Sequence, residues 1–149
     1  MCREWLCNLL CTDRSIPKPD IVKQIDWQEL YSLLKSEFPD IPILLPDEYY
    51  QLATTESFKE FLRADGTDKY TYTGDPGFDC DDYASVLHGN VSIPKWSTVP
   101  IGTCWLSTPA HALNIFVDEN TEVWLVEPQT DELFKISDRS GWKAEIIWF

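Results

Sequence analysis

Between residues 101 and 149 five apolar segments follow one another at close spacing, each bounded by turn residues: 101–107, 111–117, 122–127, 132–136 and 145–149. Gaps this short admit hairpins and leave no room for crossover helices, so the second half of the chain reads as a meandering antiparallel sheet. The first half shows the other period. Trp27, Leu30, Tyr31, Leu34 and Phe38 recur at helical spacing after Asp26 and Glu29, an acidic form of the capping box, until Pro39 stops the pattern. Phe58, Phe61 and Leu62 face inward from a shorter helix over 56–64 that Gly66 ends. Helices first and sheet after define an α+β domain, and 149 residues is the size of one domain, 1–149, with a sufficient core of its own.

Other segments are read from local chemistry. Residues 1–20 form an N-terminal helix and linker: Trp5, Leu6, Leu9 and Leu10 lie on one helical stripe suited to docking, and Pro17 and Pro19 mark the linker. Cys2, Cys7 and Cys11 have zinc-compatible chemistry, but no histidine or fourth cysteine lies nearby, and ordinary packing is favoured. The stretch from Pro39 to Pro46 is extended. Alternation about Tyr70 and Tyr72 suggests a strand over 69–73 that leads into the Gly74-Asp75-Pro76-Gly77 turn, and a helix over 80–88 follows.

Twenty-five acidic residues against 12 basic ones give a net charge of −13, which opposes a phosphate backbone and excludes nucleic acid as a partner. The same surplus suits hard cations, although most of it reads as solubilising surface. An odd count of five cysteines without a CxxC pair indicates no disulfide framework. Without a signal-like segment or an apolar run of roughly 20 residues, the expectation is a cytoplasmic protein that does not engage membranes, compatible with a phage or virion setting.

The chemistry concentrates at Cys80, which follows a glycine-punctuated turn and opens a helix, where free N–H groups and the helix dipole favour a thiolate. Cys104 lies mid-strand and reads as a buried hydrophobe. Of the two histidines, His88 is about 12 Å of helical rise from Cys80 and is excluded as its base. His111 opens a strand on which His111, Leu113 and Ile115 share a face. An antiparallel return through the short turn brings Glu127, or a position within two of it, opposite His111, where a carboxylate fixes the imidazole tautomer. A one-residue slip of register would turn Glu127 to the other face.

The blocks FDCDDYA, HALNIFVDE and VWLVEPQT resemble the signature blocks of the papain-like and transglutaminase-like cysteine hydrolases. In particular they resemble the calcium-dependent, papain-like domain of certain fungal chimeric lectins and the bacterial transglutaminase-like cysteine proteinases. The resemblance spans about half the chain, Gly74 to Asp131, and no lectin repeat accompanies it. It implies a papain-like fold with the cysteine helix on an antiparallel sheet. It also implies a thiol-dependent peptide or isopeptide hydrolase working through an acyl-enzyme, with Cys80 as nucleophile, His111 as base and Glu127 orienting the histidine. A protein or peptide would be the substrate, with acyl transfer to an amine as a variant. Asp81, Asp82 and Gln129 would hold Ca²⁺ or Mn²⁺, and no organic cofactor is implied.

A cation has a physical motive here, since Asp79, Asp81 and Asp82 crowd a thiol whose ionisation like charge opposes. The Gln that papain-like enzymes place before the cysteine is absent; the Cys80 N–H and Tyr70 or Tyr72 are the available oxyanion donors. Two alternatives stay open. One is a catalytically inactive metal-binding or protein-interaction domain on the same fold; the other, ranked lower, uses Cys80, His111 and Glu127 as zinc ligands.

Overall fold

The structure, a computed structural model, describes residues 16–149. The expected N-terminal helix therefore lies outside the described residues. Strand β1 (Ile21–Asp26) leads into α1 (Trp27–Glu37), followed by the short β2 (Ile43–Leu44), β3 (Tyr49–Ala53) and α2 (Thr55–Asp65). A single 3₁₀ turn (Thr67–Lys69) and an irregular loop precede α3 (Cys80–Val91). Five strands complete the chain: β4 (Ile101–Thr108), β5 (Ala110–Val117), β6 (Val123–Glu127), β7 (Glu132–Phe134) and β8 (Lys143–Trp148). The fold is mixed α+β, with helices packed on sheets. Among the described residues no helix is long and apolar enough to cross a membrane.

Helix starts follow their capping chemistry. Asp26 caps α1 by accepting the Glu29 N–H at 2.8 Å. Thr54 caps α2, and Glu119, from the β5–β6 turn, accepts the Thr55 N–H at 2.9 Å, which moves the helix start ahead of residue 56. In α3 the Asp79 side chain accepts from the first turn while Asp82 accepts the Asp79 N–H at 3.1 Å, a reciprocal box.

The main sheet runs β2-β8-β4-β5-β6-β7, and a separate β1–β3 ribbon stands apart from it. The expected meander holds from β4 to β7 but fails at both ends. β8 returns to the free edge of β4, and β2 joins β8 in parallel. Three further expectations are corrected. The stretch 69–73 is not a strand, because Tyr70 and Tyr72 point into solvent and the Tyr83 hydroxyl, donating to the Tyr70 carbonyl at 2.6 Å, ties down the loop. The stretch 132–136 pairs only as far as Phe134. Trp27 and Tyr31 are exposed, leaving Leu30, Leu34 and Phe38 to anchor α1.

The central strands are buried on both faces. One face carries Cys104, Leu106, Leu113, Ile115, Leu125 and Ile147 against α1. The other carries Ile101, Phe116 and Val126 against α2 and α3, with Phe58 tilted against Phe116 at 4.3 Å and Phe61 against Trp96 at 4.7 Å. Gly102 is required between them, since a Cβ there would collide with the Trp148 carbonyl.

Asp118 fixes α2 to the β5–β6 turn. Its buried carboxylate accepts from the Asn120 and Glu122 N–H groups, the Thr55 hydroxyl and the Trp124 indole at 2.8 Å. Asp118→Ala leaves these donors unpaired and is expected to cost about 2–4 kcal/mol, read as a lowered midpoint in urea with an unchanged slope. An unchanged midpoint would show the network to be dispensable.

Candidate functional site

Residues 66–82 carry the approach to α3. Phe78 packs on Tyr70 at 5.2 Å and on Tyr83 at 4.7 Å, and its N–H donates to the Thr73 hydroxyl at 2.6 Å. Gly77 is needed in this turn, because a Cβ would collide with the Thr73 hydroxyl and the Gly74 carbonyl. The loop delivers Cys80, half-buried, to the first turn of α3 as the helix pattern requires. Tyr83, Ala84 and Leu87 are buried against the sheet.

His111 and Glu127 meet as the hairpin register demands. The last β5–β6 pair is Asn114 with Val126, so Glu127 falls opposite Leu113, on the face His111 shares. The His111 Nε2–H donates to Glu127 Oε2 at 2.8 Å, both side chains being about four-fifths buried. That bond leaves Nδ1 as the nitrogen open to another group. Trp142 meets the imidazole edge-on at 6.3 Å and Phe134 at 5.7 Å, walling the pair on its core side. Trp142 was not foreseen, since a single tryptophan in a turn carries no local pattern.

Cys80 is not joined to this pair. No hydrogen bond links Cys80 with His111 or Glu127 among the described residues. Helix α3 packs on the sheet face that carries Asn114 and Thr103, where Asn114 Nδ2 donates to the Ala84 carbonyl at 2.9 Å and Thr103 Oγ1 lies 3.1 Å from His88 Nδ1. His111 is of the opposite parity. Its face is that of Leu106, Leu113 and Ile115.

The acidic residues divide between two places. Ligand atoms of Asp79, Cys80 and Asp81 lie within 4.8 Å of one another. Asp79 holds the Asp81 carboxyl above its ordinary range, through a shared hydrogen bond first and then through slight burial and like charge. Asp82 is engaged by the capping box, and Gln129 lies in the β6–β7 turn with its N–H directed at Glu127 Oε1 at 3.4 Å. The structure thus places Asp81 and Asp82 together and Gln129 on a separate element. In the same β6–β7 turn Asp131 faces Asp65 and Asp68; burial, then Asp68, then Asp65 push its carboxyl up to about 6. Asp68 Oδ1 is itself buried without a hydrogen-bond donor, Lys69 Nζ standing 3.4 Å away as an ion contact only.

No family model matches the chain, and no curated protein matches it by sequence. Its fold is shared with solved structures. A PSL1a–E64 complex has 24% identity and a TM-score of 0.72, over 85% of this chain and 51% of that one. Polyporus squamosus lectin, bound to the human-type influenza-binding epitope Neu5Acα2-6Galβ1-4GlcNAc, has 23% identity and a TM-score of 0.69, over 85% and 49%. The chain spans about half the length of each.

These matches correct the functional expectations. Neither structure is described as a protease or a transglutaminase, and the one described by activity is a lectin holding a glycan. The papain-like and transglutaminase-like assignment, the thiol-dependent amide hydrolase, the acyl-transfer variant and the protein or peptide substrate are replaced on that finding. So is the inactive metal-binding or protein-interaction domain.

Two measurements check this electrostatic description. Burial pushes the Cys104 thiol up to about 12, whereas Cys80 is half-exposed. Iodoacetamide at pH 8 is therefore expected to label Cys80 and spare Cys104 in the native protein, read by peptide mass mapping; labelling of both at one rate would show that the sheet opens. Because the folded-state pKa of Asp131 is raised, its charged form opposes folding; the penalty is complete above about pH 6 and gone below about pH 4. Asp131→Asn is expected to gain roughly 1 kcal/mol at pH 8, an amount reduced for water screening at this half-exposed site, and to gain nothing near pH 3.5. A gain independent of pH would assign the effect to the left-handed backbone at residue 131, φ 60°.

Proposed function

We propose that this chain is a carbohydrate-binding module. The observation that carries the reading is the shared fold with a lectin structure described as glycan-bound. The site chemistry supports it: a paired imidazole and carboxylate can receive and donate hydrogen bonds to sugar hydroxyls, and exposed aromatic rings offer faces to the apolar side of a pyranose. We assign Cys80, His111 and Glu127 to the polar wall of that site, with Tyr70 and Tyr72, both exposed, on the loop that leads to it.

Asp81, Asp82 and Gln129 are proposed to hold Ca²⁺ or Mn²⁺. Their oxygens are hard donors, and a cation would stabilise the ionised Asp81 carboxyl, which the hydrogen bond with Asp79, slight burial and like charge hold above its ordinary range. When bound, such an ion supplies a Lewis-acidic contact for vicinal hydroxyls. The net charge of −13 disfavours sialylated glycans and directs the proposal to neutral or amino sugars.

Calorimetry against neutral, amino-sugar and sialylated oligosaccharides, with Ca²⁺ and with chelator, tests the reading. Neutral or amino sugars are expected to bind, and His111→Ala or Glu127→Gln to weaken them about tenfold, the loss of roughly one hydrogen bond. Ca²⁺ is expected to raise the melting temperature of the native chain and not of Asp81→Asn/Asp82→Asn. E64 is the comparison ligand. The absence of glycan binding at millimolar concentration under both conditions, or a covalent E64 adduct on Cys80 in place of it, would overturn the proposal.

A further inference from the structure

The indole of Trp148 is 53% exposed, on a backbone that is held from both sides. Trp148 pairs with Leu44 of β2 and with Thr103 of β4, so the three side chains form one row across neighbouring strands. The row continues onto α3, where His88 meets the indole edge-on at 5.5 Å and its Nδ1 lies 3.1 Å from Thr103 Oγ1. His88 stands about 12 Å of helical rise along α3 from Cys80 and belongs to neither the His111–Glu127 pair nor the acidic turn.

Three cavities adjoin at Trp148. One of about 270 Å³ lies over His88 and Thr103, and a second of about 260 Å³ runs past His88 and Tyr50 to Asp47. A third, of about 420 Å³, runs along Leu44 to Tyr31 and Trp27. The first two share His88 and Ser92, the second and third share Pro46, and all three share the indole. Trp148 thus stands in the middle of a furrow, fixed in place before any ligand arrives.

The polar groups of the furrow are few and, Asp47 apart, uncharged. Tyr50 is 2% exposed; burial keeps its phenol protonated, its oxygen accepts the Asp47 N–H at 3.2 Å, and its own proton has no acceptor among the described residues. Burial also holds His88 below the ordinary imidazole range, so the ring is neutral at pH 7 and, with Nδ1 engaged by Thr103, offers Nε2. The Ser92 hydroxyl donates to the His88 carbonyl at 2.8 Å and keeps lone pairs free to accept. No Lys or Arg lines any of the three cavities, which together with the net charge of −13 turns anions away. An exposed ring face among neutral donors and acceptors matches a neutral ligand with many hydroxyls and apolar C–H faces.

We propose that Trp148, His88 and Tyr50 form a second saccharide site, in which a neutral oligosaccharide lies along the furrow with one pyranose stacked on Trp148 and its neighbours in the adjoining cavities. The inference rests on the reading of the chain as a carbohydrate binder, and adds a place where binding proceeds without Cys80, His111 or Glu127.

Calorimetry of the full chain with chitotriose and with cellotriose tests it. At least one of the two is expected to bind the doubly substituted chain His111→Ala/Glu127→Gln, which lacks the first site. In that background Trp148→Ala is expected to weaken binding about tenfold and Trp148→Phe to recover most of it. Tyr50→Phe, which removes one hydroxyl and no ring, is expected to weaken it about fivefold at an unchanged melting temperature. Binding that His111→Ala/Glu127→Gln abolishes would overturn this site and leave the first one standing. Binding indifferent to Trp148→Ala and Tyr50→Phe would overturn it too, as would the failure of both trisaccharides to bind the native chain at millimolar concentration.

Discussion

Strand β5 sets the terms for the rest of the molecule. It is buried on both faces from Ala112 to Val117, so its alternate side chains are committed to two different cores. Leu113, Ile115 and Val117 face α1, while Phe116 reaches Phe58 of α2, and Asn114, without any exposure, gives its amide hydrogens to Ala84 of α3 and Gly102 of β4. A slip of one residue would bury His111 on the wrong side and drive Asn114 into an apolar cluster with no acceptor. The register is thus specified twice, by packing and by a buried polar group that finds its partners in only one of the two alignments.

The His111–Glu127 pair is a by-product of that register. Once Asn114 stands opposite Val126, Glu127 must share a face with His111, and the 2.8 Å bond between them follows. This part was legible in the sequence because a hairpin with a short turn has few registers and two periodic strands select among them. The start of α3 was legible for the same local reason, since Asp79, Asp82 and the preceding glycines are capping and turn chemistry. What the local pattern does not carry is which face of the sheet receives α3. Thr103 and Asn114, which decide it, look in sequence like ordinary strand residues.

The misread segments have a shared cause. Ile21–Asp26 and Tyr49–Ala53 form a two-stranded ribbon whose outward side is polar, so neither displays clear alternation. Residues 69–73 display alternation and form no strand, because Tyr70 is held by the Tyr83 hydroxyl of α3 and by Phe78 rather than by a neighbouring strand, and Tyr72 is exposed. Likewise the stripe of α1 is wider than its burial. Trp27 and Tyr31 belong to the helical period, but the sheet edge they would meet ends at the two residues of β2, which leaves them lining an open apolar groove with Leu44 and Trp148.

The β6–β7 turn joins the two acidic regions. Glu127 turns back to His111, its carbonyl accepts the Thr130 and Asp131 N–H groups at 3.1 and 2.9 Å, and Asp131 then meets Asp65 and Asp68. Those aspartates flank the start of the loop whose far end is Asp79, Cys80 and Asp81. One loop is therefore held between two groups of like charge, with Arg63 and Lys69 as the cations that lower the first. Aromatic contacts among Tyr70, Phe78 and Tyr83 hold the loop to α3 independently of those charges. Protonation of Asp131 removes one charge from the turn side and leaves the aromatic clamp unchanged. The His111–Glu127 bond, fixed by strand register, stays where β5 puts it.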